Sequence, residues 1–63
     1  MVNEINKFIA GCNISLLQYM FIRGDQIYIE DETKQEEIVD CINRSSRFPN
    51  CSWDKDTKAL IFK

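Results

Sequence analysis

The pattern of hydrophobic and polar positions places the chain's densest concentration of large apolar side chains along residues 15–30. Gly24-Asp25 divides this segment, and a glycine at the first position of a two-residue turn supplies the positive φ that a tight hairpin needs. The pattern therefore predicts a β-hairpin in which Arg23 pairs with Gln26. Since opposite residues share a face, this register places four aliphatic side chains together. They are Met20, Ile22, Ile27 and Ile29.

The other face of the predicted hairpin is a mixture of aromatic and polar side chains. Aromatic rings on a sheet face bind other proteins well, because they offer a large rigid area at a small entropic cost. The same rings beside an arginine are also typical of a platform on which unpaired nucleic-acid bases stack. Protein binding is the main hypothesis and nucleic-acid binding is the alternative. The candidate partner-binding residues are Tyr19, Phe21, Arg23, Tyr28 and Glu30.

A second interpretation of the same region makes residues 14–22 a helix that begins after Asn13 and ends at Gly24. Leu16, Leu17 and Met20 suit a helix, whereas aromatic and β-branched residues nearby favour a strand. The sorting of the side chains into one aliphatic and one aromatic–polar face favours the hairpin, and the helix stays open as an alternative.

A short amphipathic helix is predicted over Asn3–Ala10. Asn3 suits the N-cap position, and Gly11 suits the residue just beyond the C-terminal end. So short a helix is stable only when it packs on something else. We expect it to cover one face of the sheet, and the aromatic face is available unless a partner covers it. Its apolar stripe is Ile5, Phe8 and Ile9.

The clearest helix is predicted over Asp31–Arg44. Thr33 and Glu36 have the spacing of a capping box, and Asp40 and Arg44 can form an ion pair across one turn. Ile38, Val39, Cys41 and Ile42 form its expected buried stripe.

A second hairpin is predicted around the polar loop 54–57. Pairing Trp53 with Lys58 places Cys51 opposite Leu60 and Pro49 opposite Phe62. The element order is then αββαββ. The predicted fold class is α+β, a single domain over residues 1–63 with a four-stranded antiparallel sheet and the helices packed on it.

Size and charge limit the possible partners. A chain of 63 residues buries barely enough apolar surface to offset its chain entropy, so we expect self-association as a homodimer. The net charge of −2 argues against non-specific binding to nucleic acid or to anionic membranes. No apolar run is long enough to cross a bilayer.

The residues available for chemistry do not form a recognisable active site. The chain has no histidine, and its three cysteines have none of the spacings of a zinc site. We expect the cysteines to be reduced and to act as small apolar residues. The sequence therefore predicts no enzyme, no metal and no cofactor.

These patterns support a function class only. After Met1 the chain continues with Val-Asn-Glu and lacks the basic and apolar regions of a secretory signal, so a cytoplasmic location is expected. The abundance of Ile, Asn, Lys, Asp and Glu is typical of small viral and phage reading frames. We expect a small regulator or inhibitor that uses the aromatic face. If the chain is phage-encoded, the expected target is a host protein.

Overall fold

The computed structural model describes residues 1–63 as three helices and two hairpins. The order is α1 (Val2–Cys12), a 3₁₀ helix (Ile14–Tyr19), β1 (Met20–Arg23), β2 (Gln26–Ile29), α2 (Glu32–Ser45), β3 (Cys51–Trp53) and β4 (Leu60–Phe62).

The first hairpin has the register that the sequence predicts. Arg23 pairs with Gln26, and the ladder continues through Ile22–Ile27 and Phe21–Tyr28 to Met20–Ile29. Gly24 has a φ of +59°, whereas Asp25 is not among the residues with positive φ. This combination is the one that type II′ turns require.

Residues 14–22 divide between the two interpretations. Ile14–Tyr19 is helical, although as a 3₁₀ helix, and the side chain of Asn13 caps it by accepting a hydrogen bond from the amide of Ser15. The strand begins only at Met20. The helical interpretation is thus correct for the first part and for its cap, and wrong about an end at Gly24.

The predicted four-stranded sheet is wrong. The strands form two separate two-stranded antiparallel sheets, which meet through one isolated bridge between Tyr28 and Ala59. Two features limit this contact. Lys58 has a left-handed backbone with a φ of +67°, and the carbonyl of Ile29 accepts the indole N–H of Trp53, a side-chain group, at 2.9 Å. The amide of Ile29 still donates to the Lys58 carbonyl at 2.8 Å.

The predicted register of the second hairpin is also wrong, by two residues. Trp53 pairs with Leu60 and Cys51 with Phe62, and Pro49 lies outside the strand. The connection is longer than predicted, because Lys58 donates its amide to the Asp54 carbonyl and closes a wide turn. A shift of two residues keeps each side chain on its face, since strand side chains alternate with period two.

Both predicted long helices are present, but the residues at their caps differ from the predicted ones. Gly11 lies inside α1, and the N-cap position is Met1, whose side chain makes no capping hydrogen bond. At α2 the cap is Asp31, whose carboxylate accepts hydrogen bonds from the amides of Thr33 and Lys34, so the predicted capping box is not used. Asp40 and Arg44 form the predicted ion pair on the exposed side.

One hydrophobic cluster unites the helices with the inner face of the first hairpin. α1 contacts the 3₁₀ helix and α2, so it lies over the aliphatic side of the hairpin and leaves the aromatic side uncovered. Ile22 is the exception on the predicted aliphatic face, since it is 39% exposed. The fully buried side chains are Ile5, Ile9, Ile27, Ile29, Ile38 and Ile42.

Asn43 connects α2 to the second hairpin. Its Nδ2 donates to the carbonyl of Cys51 at 3.0 Å, and its Oδ1 accepts the amide of the same residue at 2.8 Å. A side-chain amide thus pairs with the backbone of β3 as a neighbouring strand would, which positions this strand against the helix.

Candidate protein-contact surface

A shallow groove runs along the outer side of the first hairpin, where it meets the loop of the second hairpin. It has a volume of about 410 Å³. It combines two aromatic rings, one of them a phenol, with two cationic side chains, one carboxylate and the hydroxyl group of a threonine. The lining residues are Phe21, Arg23, Tyr28, Glu30, Thr57 and Lys58.

Phe21 and Tyr28 are the apolar centre of this groove. They are directly opposite each other on β1 and β2, which places both rings on the outer face of the hairpin. Phe21 is 51% exposed, whereas Tyr28 is partly buried at the bridge to Ala59. Neither ring belongs to the hydrophobic core, nor is either packed against it.

The structure brings four of the five predicted site residues together. Arg23 and Glu30 lie on opposite strands and line the groove with the two rings. Tyr19 does not join them. It belongs to the end of the 3₁₀ helix and packs on the core, and the ammonium group of Lys34 lies 5.4 Å from the centre of its ring.

Thr57 and Lys58 complete the groove and were not predicted from the sequence. They come from the loop of the second hairpin, which reaches the first one because Ile29 donates its amide to the Lys58 carbonyl. The only sequence signal for this contact was the polar loop itself. No local pattern indicates which strand a loop will approach, so these two residues were missed.

Most of the other aromatic rings have a cationic side chain over one ring face. Lys58 lies 5.2 Å from the centre of the Trp53 ring, and Arg47 lies 5.5 Å from Phe8 and 5.9 Å from Phe48. Such cation–π contacts cover ring faces that would otherwise meet water. Phe21, Tyr28 and Phe62 have no such contact, and Phe21 is the only exposed ring among the seven aromatic side chains.

The apolar area extends toward the second sheet. Ile61 lies two residues beyond Ala59, so alternation along the strand places it on the same side as the Tyr28 ring. Its side chain is 52% exposed. Ile61 does not line the groove itself, but it adds an exposed apolar side chain on the same side of the molecule as the Tyr28 ring.

The carboxylate with the clearest structural role lies outside the groove. The Thr33 hydroxyl, together with the amides of Lys34 and Thr33, donates to Asp31 and lowers the pKa of that carboxyl group below its usual value. Asp31 therefore serves as a helix cap. No group of three or more His, Cys, Asp or Glu side chains is placed to hold a metal ion.

No protein-family model matches the chain, and no curated protein or solved structure shows significant similarity to it. None of its helices combines the length and the hydrophobicity needed to span a bilayer. The candidate surface is therefore defined by the geometry of this chain's own residues.

Proposed function

We propose that this chain is a small non-enzymatic regulator or inhibitor that binds another protein through the outer face of its first hairpin. The observation that carries the proposal is the half-exposed ring of Phe21, held in an ordered strand opposite Tyr28. Neither ring packs on the chain's own core, so their position is explained better by an external contact than by folding.

The chemistry of the groove suits a protein partner. Interfaces commonly have an aromatic centre that excludes water and a polar rim that sets specificity. Phe21 and Tyr28 would form the centre, and Arg23, Glu30 and Lys58 the rim. Because the rim carries both signs of charge, the partner would present a carboxylate and a cation around an apolar side chain.

Self-association belongs to the same proposal. Only 12 of the 63 residues are buried, so the core is small even for a chain of this length. A homodimer that covers Phe21 and Ile61 would add apolar burial that the monomer lacks. We further propose that the protein acts in the cytoplasm, on a host protein if its source is a phage.

Single-stranded nucleic acid is the second candidate ligand. Arg23 and Lys58 both line the groove that contains the two rings, which is the combination that base stacking with phosphate contacts requires. Glu30 in the same groove and the net negative charge oppose it. Protein binding is therefore preferred.

The central experiment compares the double variant Phe21→Ala, Tyr28→Ala with Ile14→Ala. Ile14 is a matched control, since it is 70% exposed but lies on the 3₁₀ helix. Sedimentation velocity and pull-down from the native host would measure self-association and partner capture. We expect the double variant to lose both while keeping the helical circular dichroism signal, and the control to keep all three. Unfolding of the double variant would instead assign the rings to the core.

Nucleic-acid binding is tested separately by fluorescence anisotropy with a labelled oligothymidine. If that function is correct, binding occurs at near-physiological salt, and Arg23→Ala weakens it and reduces its salt dependence. No anisotropy change at micromolar protein would exclude this candidate and leave protein binding.

A further inference from the structure

The first strand of the first hairpin has an unpaired edge. β1 pairs with β2 on one side, and no strand lies on its other side. Backbone groups along such an edge pair readily with a further strand. Phe21 and Ile22 lie on the same strand, and both are exposed although they are large and apolar. β1 therefore combines an open backbone edge with uncovered apolar side chains.

Only one residue of β1 offers both of its backbone groups at this edge. Arg23 and Gln26 flank the two-residue turn and form the hydrogen-bonded pair that closes it. Bonding to β2 alternates from there, so Ile22 points its N–H and C=O away from β2. No backbone hydrogen bond from another segment reaches Ile22. Met20 has the same orientation, but its amide already donates to the carbonyl of Leu17.

We propose that β1 pairs antiparallel with β1 of a second copy of this chain, with Ile22 of each copy opposite Ile22 of the other. Each Ile22 amide would donate to the Ile22 carbonyl across a twofold axis, and the two hairpins would form one four-stranded sheet. The inference rests on the self-association proposed for this hairpin and names the edge through which it occurs.

The side chains on the outer face complement a second copy in this register. With the axis at Ile22, Phe21 of one copy would lie opposite Arg23 of the other, in a pair without backbone bonds, where side chains approach most closely. Four other rings of the chain already have a cation within 6 Å of the ring centre, whereas Phe21, the one exposed ring, has none. The second copy would supply that cation.

On the inner face, the same register extends the hydrophobic core. Ile22 lies opposite Ile27, which is fully buried, yet Ile22 itself is 39% exposed. The Ile22 side chains of two copies would lie next to each other and cover each other. Together with Ile27 of each copy they would form a continuous apolar row across the sheet. The exposure of Ile22 is thus accounted for as the part of the inner face that one copy alone leaves uncovered.

The contact is small, so the dimer should be weak. It consists of one reciprocal pair of backbone hydrogen bonds and the side chains of Phe21, Ile22 and Arg23 from each copy. Interfaces of this size are typical of transient complexes, and we expect a dissociation constant on the order of 10–100 µM. At the lower concentrations used for fluorescence-detected unfolding, the chain would be monomeric.

The test uses the position of Ile22 on the twofold axis. Ile22→Lys places two like charges opposite each other, and so does Ile22→Glu, whereas a mixture of the two variants places opposite charges there. Sedimentation velocity of the full chain, at several times the dissociation constant, should show a dimer for the wild type. Each variant alone should weaken the dimer by about tenfold or more, and the equimolar mixture should restore it.

Ile61→Lys is the matched control. Ile61 is 52% exposed and lies on β4, which meets the first hairpin at β2, on the side away from the free edge. A dimer through β1 should be unaffected by this change. A dimer that is lost in Ile61→Lys but kept in Ile22→Lys would overturn the edge contact and support association through the outer face instead.

Two further results would overturn the proposal. If the wild type is monomeric throughout but captures a partner through Phe21 and Tyr28, the edge contact is wrong and the proposed function stands. If mixing the Lys and Glu variants restores no dimer, Ile22 does not face its own copy. Should these variants unfold, a synthetic chain with an N-methyl group on the Ile22 amide removes the edge donor and keeps every side chain. It must weaken the dimer by a similar factor.

Discussion

The two hairpins of this small protein are specified in different ways. The first turns in two residues about Gly24, and its register follows from that turn alone. The second has a longer connection, and contacts from outside the hairpin position it. Asn43 holds Cys51, and the Trp53 indole donates to Ile29 and Lys58. A short turn determines a strand pair locally, whereas a long one leaves the register to tertiary contacts.

The largest effect is expected from the inner face of the first hairpin. Ile27→Ala should lower the free energy of unfolding by about 3 kcal/mol, because the side chain is fully buried. Ile22→Ala is the matched control, since Ile22 is the opposite residue of the same hairpin but is 39% exposed, and it should cost less than about 1 kcal/mol. Urea unfolding measures both. Equal losses would mean that Ile22 is buried in solution, for example in a dimer.

The second hairpin should depend strongly on one side chain of α2. Asn43→Ala removes both hydrogen bonds to Cys51 and leaves its backbone groups without this partner, at a cost of about 2 kcal/mol. Arg44→Ala, at the next position on the exposed side, should cost less than about 0.5 kcal/mol. Denaturant unfolding followed by Trp53 fluorescence compares them. If the two variants unfold alike, the Asn43 contact does not hold the hairpin.

The second hairpin should also make stability depend on alkaline pH. Burial raises the pKa of the Cys51 thiol from an ordinary 9.0 to about 11. Between these values the folded chain keeps a proton that the unfolded chain releases, so the free energy of unfolding falls as pH rises, by about 2 kcal/mol at most.

The measurement is urea unfolding under reducing conditions at about pH 8 and about pH 11. Cys51→Ala is the control, because every other titrating group remains in it. Its stability should fall less steeply than that of the wild type over this interval. Parallel profiles would show that Cys51 ionises as easily in the folded chain as in the unfolded one.

The smallest expected effects concern the two glycines, and they should have opposite signs. Gly24→Ala should destabilise the first hairpin by about 1 kcal/mol, because the φ of +59° strains any residue with a Cβ. Gly11→Ala should stabilise α1 by up to about 1 kcal/mol, since Gly11 is helical and an added Cβ meets no atom within 4 Å. Thermal unfolding of the two variants resolves the sign. Equal shifts would contradict the local origin of the first turn.

Local patterns predicted the local structure well. The spacing of Ile5, Phe8 and Ile9 marked α1, and the turn at Gly24 gave the register that placed Phe21 beside Tyr28. They failed where the structure depends on contacts between segments that are far apart in the sequence. The four-stranded sheet was wrong because the backbone at Lys58 is left-handed and because a side chain of the second hairpin, Trp53, occupies the carbonyl of Ile29.

The candidate site shows the same division. The residues on β1 and β2 could be predicted, since alternation fixes their face. Tyr19 was assigned to that face wrongly, because the chain is helical until this residue and the strand begins one position later. Thr57 and Lys58 belong to the site only through contact between the hairpins, which no pattern in either segment indicates.

The single bridge between the hairpins has a consequence for recognition. The groove lies across this joint, with its rings on one hairpin and Thr57 and Lys58 on the other. A ligand that contacts both hairpins must fix the angle between them. Its affinity therefore depends on their relative orientation as well as on their side chains. The amide of Ile29 donates its hydrogen bond across this joint to the Lys58 carbonyl, so it should report on how firmly the two hairpins are held together. Its hydrogen exchange should slow when the groove is occupied, even by a ligand that never touches Ile29.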